Sequence, residues 1–356
     1  MPADPLNHSE ANVTDPVGFF RMVHQTFERA ERTAGDRVDR FYKIGGHTVR
    51  LRFAGSALVP LIVPALEHLA TQASSAPALT ICLWDSESTG MEKPPPPPWS
   101  WGEYAPRGEV HRYNDDRIHT AFHATTLSML DAELDLGVCW VRDASQLTYT
   151  ESGSPLLRIF HWWMRRHGSQ LVHAGAVGTA QGGVLVIGKG GSGKSTTCLL
   201  CLDSALLYLG DDYCLISIDP SPYAHSLYSS GKVDAQDINR FAFLKPALSN
   251  ADRLDKEKAL YFLRACFPEK ISNGFPLRAV LLPRVTGLRE TKLKKVSASA
   301  SLLASAPSTI FQLPGAGDQA FKVLGDLVRQ LPSYTLEVGT DLSQIPGTIL
   351  NLLSQL

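Results

Sequence analysis

No stretch of this sequence approaches the roughly 18 uninterrupted apolar residues that a membrane-crossing helix requires. Charge of one sign is missing too: 34 Lys and Arg against 35 Asp and Glu leave a net charge of −1 over 356 residues. With the two signs interspersed and no long basic run, the electrostatic footprint of a nucleic-acid or anionic-membrane binder is absent, so neither partner is expected. The opening Met1-Pro2-Ala3-Asp4-Pro5 has neither the basic start nor the apolar core of a secretion signal, and a soluble cytoplasmic protein is the expectation. Cysteine is scarce. Cys82, Cys139, Cys198, Cys201, Cys214 and Cys266 lie mostly among apolar neighbours and form no disulfide framework. Cys198 and Cys201 make a C-x-x-C, but no second Cys/His pair lies nearby and the pair falls inside an expected helix, so both read as packing residues.

What is present is a glycine-rich segment with chemistry in it. Gly188-Lys189-Gly190-Gly191-Ser192-Gly193-Lys194-Ser195 matches G-x-x-x-x-G-K-[ST], directly after the apolar run Gly183-Val184-Leu185-Val186-Ile187 and before a helix opening at Thr196. Chance coincidence of the four fixed positions arises in roughly one or two of a hundred chains this long, and the strand before and helix after lower it further. Glycines let the backbone turn tightly with N–H groups inward, so a nest of donors and a helix start can hold a polyphosphate. Lys194 would neutralise the β- and γ-phosphates and the Ser195 hydroxyl would ligate Mg²⁺; ATP or GTP is the expected ligand.

Residues 1–16, polar and with three prolines, are expected to form a loose arm. Residues 17–150 read as an α+β module: a helix from Phe19 to Arg32, a hairpin over Phe41–Phe53 with Gly45-Gly46 at its tip, a helix over Leu58–Leu69, a strand over Leu79–Trp84, polyproline II at Pro94–Pro98, then short antiparallel strands near 109–113, 118–122, 129–131 and 137–141. From 151 to 356 the expected order is a helix over Pro155–Arg166, a strand over Leu171–Val177 containing His173, the strand and loop already described, a strand ending in Leu209-Gly210-Asp211-Asp212, one over Tyr213–Ile218 and one starting at Ala279, with alternating helix and turn over the last 50 residues.

Asp211 and Asp212 fall 17 and 18 residues after Lys194, at the end of a buried strand. Two adjacent carboxylates there divide labour: one organises Mg²⁺, the other accepts the proton of an attacking hydroxyl. A capping pair is the alternative. His173, alone in apolar sequence, reads equally as a core residue, and Arg284 as a surface arginine or as a cation for a transferring phosphoryl group. Ser229, Ser230 and Lys232 read as a polar turn or as neighbours of the acceptor.

The ordered set Leu171-Val172-His173-Ala174-Gly175-Ala176-Val177, then 183–196, then Leu209-Gly210-Asp211-Asp212 resembles the catalytic domain of HPr kinase/phosphorylase over about a third of the chain, residues 168 to 290. The resemblance implies an α/β P-loop kinase domain of the HPr kinase / PEP carboxykinase-like type behind the N-terminal α+β module. It implies that His173 assists the site, that Lys194 holds phosphates, that Ser195 and Asp211 bind Mg²⁺, and that Asp212 accepts the proton of a serine, with Arg284 the loosest match. The family's later glutamate and Arg-Gly-Leu-Gly stretch has no counterpart; Ser226–Val233 stands there, so the chain is more similar to divergent members, some of which phosphorylate a serine of a precursor peptide. The implied function is an ATP- and Mg²⁺-dependent kinase acting on a hydroxyl of a peptide, protein or small metabolite, and, as the resembled enzymes form rings, a homo-oligomer. A P-loop ATPase or nucleotide-dependent switch, and a non-catalytic remnant, remain open alternatives.

Overall fold

The computed structural model describes residues 15–356 apart from 92, 97, 100–102, 104, 106–107, 111–113, 124, 314 and 316. The expected arm before residue 15, and the expected strand at 111–113, therefore lie outside the described residues.

Asp15 starts the first helix, α1 (Pro16–Ala34): its carboxylate accepts from the Val17 and Gly18 amides, proline sits at the first turn, and Gly35 closes the end at φ 66°. Phe19, Phe20, Val23, Phe27 and Ala30 form its buried stripe and pack on a six-stranded sheet. That sheet holds β1 (Arg37–Ile44), β2 (His47–Ala54), β3 (Leu79–Asp85), β4 (Ile118–His123), β5 (Thr126–Asp131) and β6 (Leu136–Val141), in the order β1-β2-β3-β6-β5-β4. Two short helices, α2 (Val59–Ile62) and α3 (Ser86–Thr89), border it, and α4 (Tyr149–Gly153) and α5 (Leu157–Arg166) lead out of it.

The second sheet has nine strands: β7 (Gln170–Val172), β8 (Gly175–Thr179), β9 (Gly182–Val186), β10 (Leu207–Gly210), β11 (Cys214–Ser217), β12 (Tyr223–His225), β15 (Gly274–Val285), β16 (Lys292–Val296) and β17 (Ser333–Val338). Its path runs β10-β8-β9-β15-β12-β11-β7, with β17 on β15 and β16 outside it; β13 (Ser230–Val233) and β14 (Ala259–Phe262) pair separately. Only β15 makes parallel pairs here, with β9 and β17. Alternation in β9 sorts the two faces. Val184 and Val186 join Cys198 and Leu199 of α6 (Lys194–Leu200) and Ile345 and Ile349 of α9 (Gln344–Gln355). Leu185 and Ile187 join Ala306 of α7 (Ala298–Gln312) and Leu324 of α8 (Gly317–Gln330). Among the described residues this gives a mixed α/β fold with three sheets and nine α-helices. None of those helices is long and apolar enough to cross a membrane.

The core does not divide at residue 150. Trp162, Trp163 and Met164 of α5 belong to one buried cluster with Tyr42, Leu51 and Leu83 of the first sheet and Leu171 and Leu215 of the second.

Several expectations are corrected. The helix over Leu58–Leu69 is two pieces, α2 and a 3₁₀ turn at Glu67–Leu69, because Pro64 has no N–H to donate to a helical ladder. Pro94, Pro95 and Pro98 form bends rather than a continuous extended run. The last 50 residues include a strand, β17, that flanks β15. The strand expected over Leu171–Val177 breaks at His173 and Ala174, since β7 pairs with β11 whereas β8 pairs with β9 and β10.

Candidate active site

The glycine-rich loop leaves β9 at Ile187, and its shape depends on residues without Cβ: Gly188, Gly191 and Gly193 have φ of 149°, 75° and 101°. Lys194 opens α6 but its side chain turns back, and Nζ donates to the carbonyls of Gly188 (2.8 Å) and Lys189 (3.3 Å). Burial lowers the pKa of this ammonium, while Asp212 and Asp211 pull it back up. The Ser192 hydroxyl is buried without a partner, and a Cβ on Gly188 would stand 2.8 Å from it. Lys189 and Gly190 are exposed at the tip, and Thr196 follows Ser195 in the first turn of α6.

Asp211 and Asp212 follow β10 directly, and β10 lies next to β8. Gly175 lets α6 and β10 close on β8: an added Cβ would meet the Cys198 sulfur at 2.4 Å and the Asp211 Cα at 3.1 Å. Asp211 is buried and accepts from the Lys232 amide at 3.3 Å, and the Ser195 hydroxyl lies near enough to favour its charged form. Burial, and then the negative charge of Asp212, push its carboxyl up to about 6.

Asp212 faces elsewhere. Its Oδ1 lies 3.0 Å from His173 Nε2 and its Oδ2 2.7 Å from Lys232 Nζ, and its side chain keeps 26% exposure. Burial opposes its ionisation, but the Lys232 ammonium and the His173 hydrogen bond outweigh that and hold the carboxyl well below the usual carboxylate range. His173 is not in a strand but in the break between β7 and β8, which turns its ring toward Asp212; its amide donates to Thr309 Oγ1 of α7 at 3.1 Å. The Tyr213 ring lies 5.4 Å from it and is held by Gln312.

The fold thus brings Lys194, Ser195, Asp211, Asp212 and His173 into one neighbourhood. Arg284 stands apart from the acids. It lies within β15, not after a strand, is exposed, and lines a cavity of about 630 Å³ with Lys189 and Gly190 of the loop and Leu303, Pro307 and Phe311 of α7. Lys232 was not among the residues that the motif pointed to. Its ammonium bridges Asp212 and the Ser154 hydroxyl, each at 2.7 Å, so residues far apart in sequence meet at the acid. Its signal was weak: a lone lysine beside Gly231, 20 residues past Asp212. Ser229 and Ser230 are buried and bond to backbone carbonyls of Ala65 and Gly153, away from the loop.

Among the described residues no group of three or more His, Cys, Asp or Glu converges on a metal position. Mg²⁺ asks for less, one or two protein oxygens beside phosphate oxygens and water, and the Ser195–Asp211 contact fits that donor set. Cys198 and Cys201 are buried thiols raised in pKa by that burial, which suits packing rather than redox or ligand roles.

No protein-family model matches the chain, and no curated protein matches it. Among solved structures it is similar to the structure of the Hpr(Ser) kinase/phosphatase from Coxiella burnetii, at TM-score 0.31 and 11% identity, over 52% of this chain and 97% of that one. A superposition that loose carries nothing about the site, which stands on its own geometry.

Proposed function

We propose that this protein is an ATP- and Mg²⁺-dependent kinase that transfers the γ-phosphoryl group to a serine-type hydroxyl of a peptide, protein or small metabolite. One observation carries the reading: two neighbouring aspartates face different sides, Asp211 buried beside Ser195 of the glycine-rich loop and bonded to the Lys232 amide, Asp212 part-exposed and bonded to the side chains of His173 and Lys232. That division suits one acid beside a metal and one beside an acceptor.

The loop amides and Lys194 hold the triphosphate, Lys194 exchanging its bonds to Gly188 and Lys189 for phosphate oxygens. The Ser192 hydroxyl supplies a further donor. Ser195 and Asp211 would hold Mg²⁺, which would supply charge neutralisation for the phosphates when bound. Asp212 receives the acceptor's O–H proton as the acceptor oxygen bonds to phosphorus and the bond to the β-phosphate oxygen breaks, releasing ADP. Held ionised by Lys232 and His173, Asp212 contributes chiefly by position, as befits a transfer with a loose transition state. Arg284, exposed at the loop's other side, fits contact with the nucleotide better than contact with the reacting oxygen.

The test uses labelled ATP, candidate serine peptides and mass spectrometry to locate the phosphate. Asp212→Asn is expected to bind ATP·Mg²⁺ by calorimetry with parental affinity and to leave the acceptor unphosphorylated. Transfer at the parental rate by that variant overturns the assignment of the base; steady ADP release with no phosphorylated acceptor moves the reading to an ATPase.

A further inference from the structure

A cavity of about 520 Å³ lies where the β1–β2 hairpin tip meets β12, and it shares no residue with the glycine-rich loop or the two aspartates. Lys43, His68, Tyr223, Arg264 and Asn273 reach its walls from five separate segments, and no carboxylate lines it. Among the described residues Lys43 and Arg264 take part in no ion pair. Arg264 gives one N–H to the Pro268 carbonyl at 2.9 Å, leaving the rest of its fork free. The Lys43 ammonium, the Tyr223 hydroxyl and the Asn273 amide have no protein hydrogen bond among the described residues. Gly274 gives Tyr223 its place: a Cβ there would meet the Tyr223 ring at 2.6 Å and its hydroxyl at 2.9 Å.

The floor of the cavity is neutral. Ser226 Oγ gives its single hydrogen to the Leu209 carbonyl at 2.7 Å, so it accepts from His68 Nε2, also at 2.7 Å, and His68 is fixed as one neutral tautomer. Burial, and then the Arg264 charge, push that imidazole down to about 3. Two unpaired cations and two unpaired neutral donors around a polar cavity without acids give it an excess of donors, which water meets when the cavity is empty and the oxygens of an anion can meet in its place.

We propose that this cavity binds a small hydroxylated oxyanion, a phosphate monoester or a hydroxycarboxylate, with Lys43 and Arg264 on the anionic group and Tyr223 and Asn273 on the hydroxyls. Arg264 in particular offers the planar fork that matches either oxyanion. The assignment is independent of the kinase reading, since it uses none of that site's residues.

The test titrates the full-length protein with inorganic phosphate, glycerol 3-phosphate and citrate by calorimetry, alongside Lys194→Met, in which the loop's ammonium is gone. Either glycerol 3-phosphate or citrate is expected to bind the parent and Lys194→Met alike, and at least about tenfold more weakly in Arg264→Gln. Which of the two binds more tightly decides between phosphate and carboxylate. Lys43→Gln, an exposed substitution that leaves folding intact, is expected to weaken the same ligand and guards against an Arg264→Gln variant that fails to fold. Absence of binding below about 1 mM for all three probes overturns the proposal, as does binding that vanishes in Lys194→Met or is unchanged in Arg264→Gln and Lys43→Gln.

Discussion

Both sheets end a buried strand in aspartate, and the two ends are put to different uses. Asp85 closes β3 and caps α3, accepting from the Ser88 amide at 2.8 Å and from the Ser88 hydroxyl. Asp131 closes β5, pairs with Arg117 at 2.9 Å and takes the Glu133 amide at 3.1 Å. These carboxylates serve their own turns. Asp212, two residues past β10, spends both oxygens on side chains 39 residues before it and 20 after it, and caps nothing. A carboxylate at a strand end therefore says little by itself; the sequence distance of its partners separates a turn from a site.

The sharpest break of that comparison is the pair Asp212→Asn and Asp85→Ala. The first is expected to lower phosphate transfer by about 10²–10⁴-fold and also to lower the melting temperature, because it leaves the Lys232 ammonium without its counter-charge. The second is expected to leave transfer intact and to cost about 1–2 kcal/mol of stability through the lost cap. Equal rates in Asp212→Asn and the parent, measured by acceptor phosphorylation, dissolve the distinction. Lys194→Met comes next: calorimetry is expected to show nucleotide affinity falling by about 10²-fold, with the far-UV spectrum unchanged. Lys232→Met follows. Breaking a buried pair costs about 3–5 kcal/mol, and since Asp212 keeps 26% exposure and its His173 contact, about 2 kcal/mol in urea unfolding is expected. Arg117→Met, which breaks the corresponding pair in the first sheet, also strands a buried carboxylate and is expected to cost about 1–2 kcal/mol, the loss being limited because Asp131 keeps the Glu133 and Leu134 amides.

The smallest effect is a difference in pH slope. Burial, and then Arg165, push His119 on β4 down to about 4, and burial pushes His68 to about 3. Unfolding returns each to its ordinary value of about 6.5, so between about pH 4 and 6.5 the unfolded chain binds the extra protons. Their stability is full above that window and is lost as pH falls through it, by about 1.4 kcal/mol per unit for each proton. Asp211, raised to about 6, has the opposite sign: its contribution is present at low pH and fades as pH rises toward 6. His119→Gln is expected to flatten the acid-side loss in urea titrations with chelator, and Asp211→Asn to steepen the rise of stability with pH. Identical slopes in both variants would show that neither group is linked to folding.

How much of this was readable beforehand follows from where the partners sit. The loop and its strand are local: glycines at fixed spacing and five apolar residues before them suffice. The break at His173 is not local, because apolar residues flank it on both sides and only the two different pairing partners, β11 and β9, force the chain to step between them. Lys232 is legible only as one of three polar candidates, for the same reason: its role is set by a contact across 20 residues to Asp212 and 78 to Ser154. The alternation of Thr335-Leu336-Glu337-Val338 was legible as a strand in principle, but six residues between two helices give a weak period. Pro64 cutting the Leu58–Leu69 helix is legible outright, as a residue with no N–H to donate.

Helix α5 acts as a keel. Trp163, Met164 and their neighbours are sealed by strands of both sheets at once, so parting the halves would wet them, at about 25 cal/mol for every Å² uncovered. Any motion that separates the two sheets has to break that seal first.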